Sequence, residues 1–165
     1  MENVFYINRN FAPGQYLLMN IFPEIHTYGI LSTIFSDEKE LAAVLGKTMV
    51  FVVDLPYEMF VDNNDGSITI GLTHLKQAAD AVLYLDIIHE LCHVRQHLEG
   101  RNLYDRSKSY VDRETEVEAY QVTVREARRI GFNDEAIANY LMVGWITQEE
   151  HQRLVRKLGV INAEH

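Results

Sequence analysis

From Leu75 to Glu99 the chain contains neither proline nor glycine, and Gly100 closes the run. No other stretch restricts the fold as strongly. An uninterrupted segment of this length reads as one long central helix ending at a glycine. Between Ala81 and Val94 it is apolar almost all round, through Val82, Leu83, Leu85, Ile87, Ile88, Leu91, Cys92 and Val94. A helix with that pattern is buried rather than amphipathic. Its polar exceptions are Tyr84, Asp86, His89, Glu90 and His93. The last three fall within one arc of about 100° on the helical wheel. Burying two imidazoles and a carboxylate without partners costs several kcal/mol. The sequence must therefore provide something that compensates them.

The flanks supply the rest of the domain. At 165 residues the chain suits a single domain. Ile30 to Phe35 reads as a short strand. Ser36 reads as the cap of a helix over 37–45, closed by Gly46. Thr48 to Val53, rich in β-branched residues, reads as a buried strand. A second strand is expected near 57–61. The run Asp62-Asn63-Asn64-Asp65-Gly66 carries turn chemistry, and Ser67 to Leu72 then alternates as a strand. A calcium loop beginning at Asp62 would require Asp or Asn where Gly66 stands, so a hairpin turn is the reading. Beyond the central helix, a second is expected from about Asp112 to Ile130, stopping at Gly131. Asn133 caps a third to about Val143. Thr147 with Glu150 forms a capping box for a last one to Leu158. The architecture expected is α+β, a small mixed or antiparallel sheet packed on the central helix. Residues 48–130 would form its core and 131–165 a helical extension.

Hydrophobic residues make up 47% and the net charge is −9, which suits a globular fold and disfavours phosphate backbones. No nucleic-acid partner is expected. The cluster Arg125, Arg128 and Arg129 reads as a solvated helix face. No apolar run approaches the roughly 20 residues a bilayer requires, so no membrane partner is expected. Met1 to Asn10 shows no basic stretch followed by an apolar one, so no signal peptide is expected. The single cysteine, Cys92, builds no disulfide framework, and a reducing cytoplasmic setting follows as the expectation.

His89-Glu90-Leu91-Cys92-His93 is an H-E-x-x-H string. On a helix the two imidazoles lie one turn apart on one face and reach a single zinc at about 2.0–2.1 Å. Glu90, offset by about 100°, stands beside the metal as a general base for water. Cys92 faces the other side of the helix. His97 continues the series, but lies about 12 Å along the axis from His89, too far to share an ion. Position 99 is Glu99, which removes the pattern with a third histidine on the same segment.

A third ligand is sought on the second helix among Glu114, Glu116 and Glu118. Val117, Tyr120, Val124, Ala127 and Ile130 mark its inner face. Glu116 lies at the edge of that face, while Glu114 and Glu118 point toward Arg125 and solvent. One zinc per chain is therefore expected on His89, His93 and Glu116.

With those residues in place, the chain resembles the gluzincin, or thermolysin-like, zinc peptidases, above all their small members. In that group a Glu on the next helix completes the site, usually opening an E-x-x-[A/S]-[D/N] pattern. Glu116-Val117-Glu118-Ala119-Tyr120 matches at the Glu and at the small residue. Tyr120 departs where an acid or amide often orients a ligand histidine. That departure keeps Glu114 open as the third ligand, with Glu118 then in the place of the acid or amide. The resemblance spans roughly residues 67–130. It implies a zincin-like fold and hydrolysis of peptide bonds in a peptide or protein substrate. It also implies Glu90 as proton carrier, and the Ser67 to Leu72 strand bordering the cleft. Tyr110, Tyr120 and Arg113 stand near enough in sequence to assist the oxyanion. A catalytically silent binding protein using Ile137, Leu141, Trp145 and Ile146 is the alternative. A purely structural zinc site would call for more cysteine.

Overall fold

The computed structural model describes residues 5–160. Met1 to Val4, part of the stretch read above for a signal peptide, and 161–165 lie outside it. The fold is α+β, with a mixed four-stranded sheet and helices packed on it.

The first strand, β1 (Gly14–Leu17), leads into short helices α1 (Leu18–Ile21) and α2 (Leu31–Ile34), then α3 (Glu38–Lys47). β2 (Met49–Val53) is followed by β3 (Met59–Val61) and β4 (Ile68–Gly71). The strand order is β1-β2-β4-β3, with β2 and β4 parallel and both outer pairings antiparallel. The hairpin between β3 and β4 turns at the expected place. Asp62 N–H donates to the Ser67 carbonyl at 2.8 Å, Asp62 Oδ1 accepts from Asn64 N–H at 2.9 Å, and Gly66 supplies φ +77°.

Four expectations are corrected. Ile30 to Phe35 forms a helical turn, not a strand. Leu31, Ile34 and Phe35 are buried at helical spacing, and the Ser32 and Thr33 hydroxyls bond back to the Gly29 and Ile30 carbonyls at 2.9 and 2.7 Å. Asp37 rather than Ser36 caps α3, accepting from Lys39 N–H at 2.9 Å, and the helix continues through Gly46. The long central helix is two: α4 (Leu72–Gln77) and α5 (Asp80–Leu98). The break lies at Ala78–Ala79, both in extended conformation. Arg9 makes that break affordable, donating to the Leu75 carbonyl at 2.8 Å and pairing with Asp80. Last, the Ser67 to Leu72 strand, expected to border the cleft where a peptide could add as a further strand, has no open side for one. β4 is hydrogen-bonded on both sides, and the outer strands are β1 and β3.

α5 is buried on two sides, by the sheet through β3 and by α6 (Glu114–Arg129). That explains why its apolar residues encircle it. α6 is amphipathic, with Ala119, Tyr120, Val124 and Ala127 buried. Asn133 caps α7 (Asp134–Leu141) by accepting from Ala136 N–H at 2.8 Å, and Thr147 with Glu150 forms the expected capping box on α8 (Gln148–Lys157). These last helices share the main core: Ile137, Leu141, Leu154 and Val155 are buried with the residues of α5 and β4. Arg153 and Lys157 of α8 pair with Asp112 in the turn before α6. Among the described residues no helix is long and apolar enough to cross a membrane.

Candidate metal centre

α5 presents His89, Glu90 and His93 on its face toward α6, all buried. These three offer atoms within 4.8 Å of one another and form a group able to hold a metal ion. Glu116, in the first turns of α6, reaches into the same space. Its carboxylate lies 3.2 Å from His89 Nε2 and 2.8 Å from His93 Nε2, and the two Nε2 atoms are 3.2 Å apart. Three donors held at bond lengths of 2.0–2.1 Å around one tetrahedral ion would be about 3.3 Å apart. The chain thus gathers two imidazole nitrogens and a carboxylate oxygen at nearly that separation.

The hydrogen bonds behind the histidines decide which nitrogen faces inward. Thr123 Oγ1 donates to the Ala119 carbonyl at 2.8 Å, so toward His89 Nδ1, at 3.3 Å, it acts as acceptor. Gln96 Nε2 donates to the Thr115 carbonyl at 3.0 Å and to Glu118 at 3.2 Å, which turns Gln96 Oε1 toward His93 Nδ1 at 2.7 Å. Both rings accordingly carry a proton on Nδ1, which leaves Nε2 as the atom of each that faces Glu116. Arg101 in turn holds Glu118 at 2.5 Å. Glu118 is therefore the outer end of a chain running Arg101–Glu118–Gln96–His93. Glu114 is exposed and faces Lys108 at 3.8 Å.

Electrostatics agree with that arrangement. Burial pushes Glu116 up, but the charge and hydrogen bonds of His93 and His89 outweigh it and hold the carboxyl far below the usual range. Burial pulls His93 down, yet Glu116 overrides it and takes the ring up to about 9. For His89, burial prevails and its pKa is lowered. The set is one ionised carboxylate, one neutral imidazole and one imidazole holding a proton that a cation would displace. Glu90 is different. Burial raises its carboxyl well above the ordinary value, and its Oε2 has no hydrogen-bond partner among the described residues. A buried carboxyl oxygen left without a partner beside a donor set marks where a polar ligand belongs.

Two cavities open onto this centre. One, of about 230 Å³, runs past His89 and Glu90 to His74, Asp86 and Glu58. The other, of about 340 Å³, borders Glu90, His93 and Glu116 and is walled by Tyr57, Phe60 and Tyr104. Tyr110 and Trp145 line both, with their rings edge to face at 5.5 Å. The Tyr110 hydroxyl meets that of Tyr120 at 2.7 Å, and the Tyr120 ring rests on His89 at 4.2 Å. Arg113 lines the second cavity and donates to the Asp105 carbonyl.

The remaining sequence candidates lie elsewhere. His97 faces Asn63 at 3.4 Å. Cys92 is buried, and burial pushes its thiol up to about 12. Arg128 and Arg129 are paired with Asp134 and Glu126. Gln96 and Thr123 were missed in the sequence, although a signal existed: Gln96 is three residues after His93, and Thr123 seven after Glu116, on the same helical faces. No protein-family model matches the chain, and no curated protein or solved structure matches it significantly.

Proposed function

We propose that the chain is a zinc-dependent metallopeptidase of the gluzincin type, with a zincin-like fold, that hydrolyses bonds in a peptide or protein substrate. The observation carrying this reading is the convergence of His89 Nε2, His93 Nε2 and the Glu116 carboxylate within 3.2 Å, with the unpartnered Oε2 of Glu90 beside them. Two imidazoles and one carboxylate suit zinc and leave a coordination position open. A cation held there supplies Lewis acidity to a carbonyl and lowers the pKa of water.

The chain's own groups divide the remaining work. Glu90 takes a proton from the attacking water as its oxygen bonds to the scissile carbon. It delivers that proton to the amide nitrogen as the C–N bond breaks. Burial raises the Glu90 pKa, which makes its carboxylate a stronger base toward that water. Tyr110, at the junction of both cavities, is the hydroxyl best placed to donate to the oxyanion. The outer edge of β3 near Met59, which lines both cavities, offers backbone hydrogen bonds to an extended peptide, while the Val61 carbonyl further along is held by the Tyr104 hydroxyl. A reducing, cytoplasmic setting fits the single, buried, unpaired Cys92.

The alternative, a silent binding protein, drew on apolar residues of the C-terminal helices. Ile137, Leu141 and Ile146 are buried, and of that set Trp145 alone is exposed, at the mouth of the cleft. The test is Glu90→Gln, expected to keep zinc and to lower peptide cleavage by about 10²–10⁴-fold. Undiminished cleavage with zinc bound removes Glu90 as the base and with it this mechanism.

A further inference from the structure

The cavity of about 230 Å³ beside the metal centre has an acidic far end. Asp86 lies one helical turn before Glu90, about 6 Å along the axis of α5. Its two carboxylate oxygens are engaged, Oδ2 with His74 Nε2 at 2.7 Å and Oδ1 by the Tyr140 hydroxyl at 2.6 Å. Glu58, on the segment before β3, lines the same end. Glu58 and Asp86 face one base in the lining, His74, while Arg9, close enough to act on His74, is paired with Asp80. Among the residues lining this cavity there is no Lys or Arg. Its near end is the buried Glu90 carboxyl, whose Oε2 has no partner among the described residues, and its side walls are apolar or aromatic, with Val82, Tyr110, Val143 and Trp145.

We infer that this cavity is a binding subsite for a basic side chain, lysine or arginine, with Glu58 and Asp86 receiving its charged end. Three features of the cavity match such a side chain. Its apolar walls suit the methylene stem. The distance from Glu90 to Asp86 is comparable to the length of an extended lysine side chain. The terminal carboxylates accept charge-assisted hydrogen bonds from an ammonium or guanidinium group. The placement of the basic residue next to the cleaved bond rests on the peptidase reading. The binding of the basic side chain does not.

The experiment separates the two. N-acetyl-lysine amide and its uncharged analogue N-acetyl-norleucine amide are titrated by calorimetry or NMR into the zinc-loaded protein. The main-chain groups of the probes are identical, so the ratio of affinities reports the charged end alone. The lysine probe is expected to bind about tenfold more tightly. The ratio falls toward one in Glu58→Gln, with zinc content unchanged. Asp86→Asn, with zinc content and thermal unfolding as controls for folding, is expected to lower it as well. Equal affinities in wild type, no measurable binding of the lysine probe, or a preference that survives both variants overturns the subsite. Lysine-probe binding without any peptide cleavage leaves the subsite standing and removes the peptidase reading. Cleavage with no basic residue favoured near the cut does the reverse.

Discussion

Gln96→Leu tests the claim that the histidines are aimed by the residues behind them. Gln96 is only 1% exposed, and leucine has nearly its volume, so the substitution removes hydrogen bonds with little loss of packing. The bond lost at His93 Nδ1 is 2.7 Å long, while the corresponding contact from Thr123 to His89 is 3.3 Å. Losing such a partner behind a ligand histidine lowers metal affinity about 10–100-fold, equivalent to about 1.4–2.8 kcal/mol. Because the Gln96 bond is shorter, Gln96→Leu is placed at the upper end and Thr123→Val at the lower. Unfolding of the metal-free variant should also show a loss of about 1–3 kcal/mol, because the His93 Nδ1–H is left buried without a partner. The assay is competition for zinc against a chromophoric chelator at fixed pH, with equilibrium unfolding of the metal-free protein alongside. Unchanged zinc affinity in Gln96→Leu, or a larger loss in Thr123→Val, would refute the reasoning.

Two further outcomes are expected. Gly71→Ala places a Cβ 1.9 Å from the Tyr57 carbonyl oxygen, a backbone atom that cannot step aside cheaply. Urea or thermal unfolding should show a loss of about 1–3 kcal/mol or more, and a variant as stable as wild type contradicts the close approach. Asp112→Asn addresses pH. Arg153, Lys157 and Ser109 hold the Asp112 carboxyl below its usual range, so its contribution is present above the unfolded value of about 3.9 and fades as pH falls below it. Being partly exposed and screened, that contribution is under about 1 kcal/mol. Thermal unfolding should show wild type more stable than the variant near pH 6, with the gap narrowing steadily as pH falls below about 4. A gap that is unchanged or widens on acidification contradicts the assignment.

The parts of the fold and site that could be read from sequence are those set by local periodicity. His89, Glu90 and His93 lie within five residues, and helical spacing alone puts them on one face. Glu116 was legible because a carboxylate at the edge of an apolar stripe contradicts its surroundings. Capping at Asn133 and Thr147 follows from side-chain chemistry within one turn. What escaped depends on distant partners. β1 pairs with β2 across more than thirty residues of sequence, and nothing inside Gly14–Leu17 announces it. The break at Ala78–Ala79 is held by Arg9, far away in the chain. The outer position of β3 follows from strand order, which places β4 between β2 and β3. Gln96 and Thr123 were hidden for another reason. They are ordinary polar residues until the ring nitrogen each one touches is known.

The central claim is that His89, His93 and Glu116 hold one zinc. The most direct test is elemental analysis of protein purified without added metal, for wild type and for Glu116→Ala, Glu114→Ala and Glu118→Ala. About one zinc per chain is expected in wild type and in Glu114→Ala. It should be lost in Glu116→Ala and retained in Glu118→Ala, whose effect is limited to weakening the support behind Gln96. Wild-type protein that holds no zinc even after reloading, or zinc that survives Glu116→Ala and is lost with Glu114→Ala, contradicts the account.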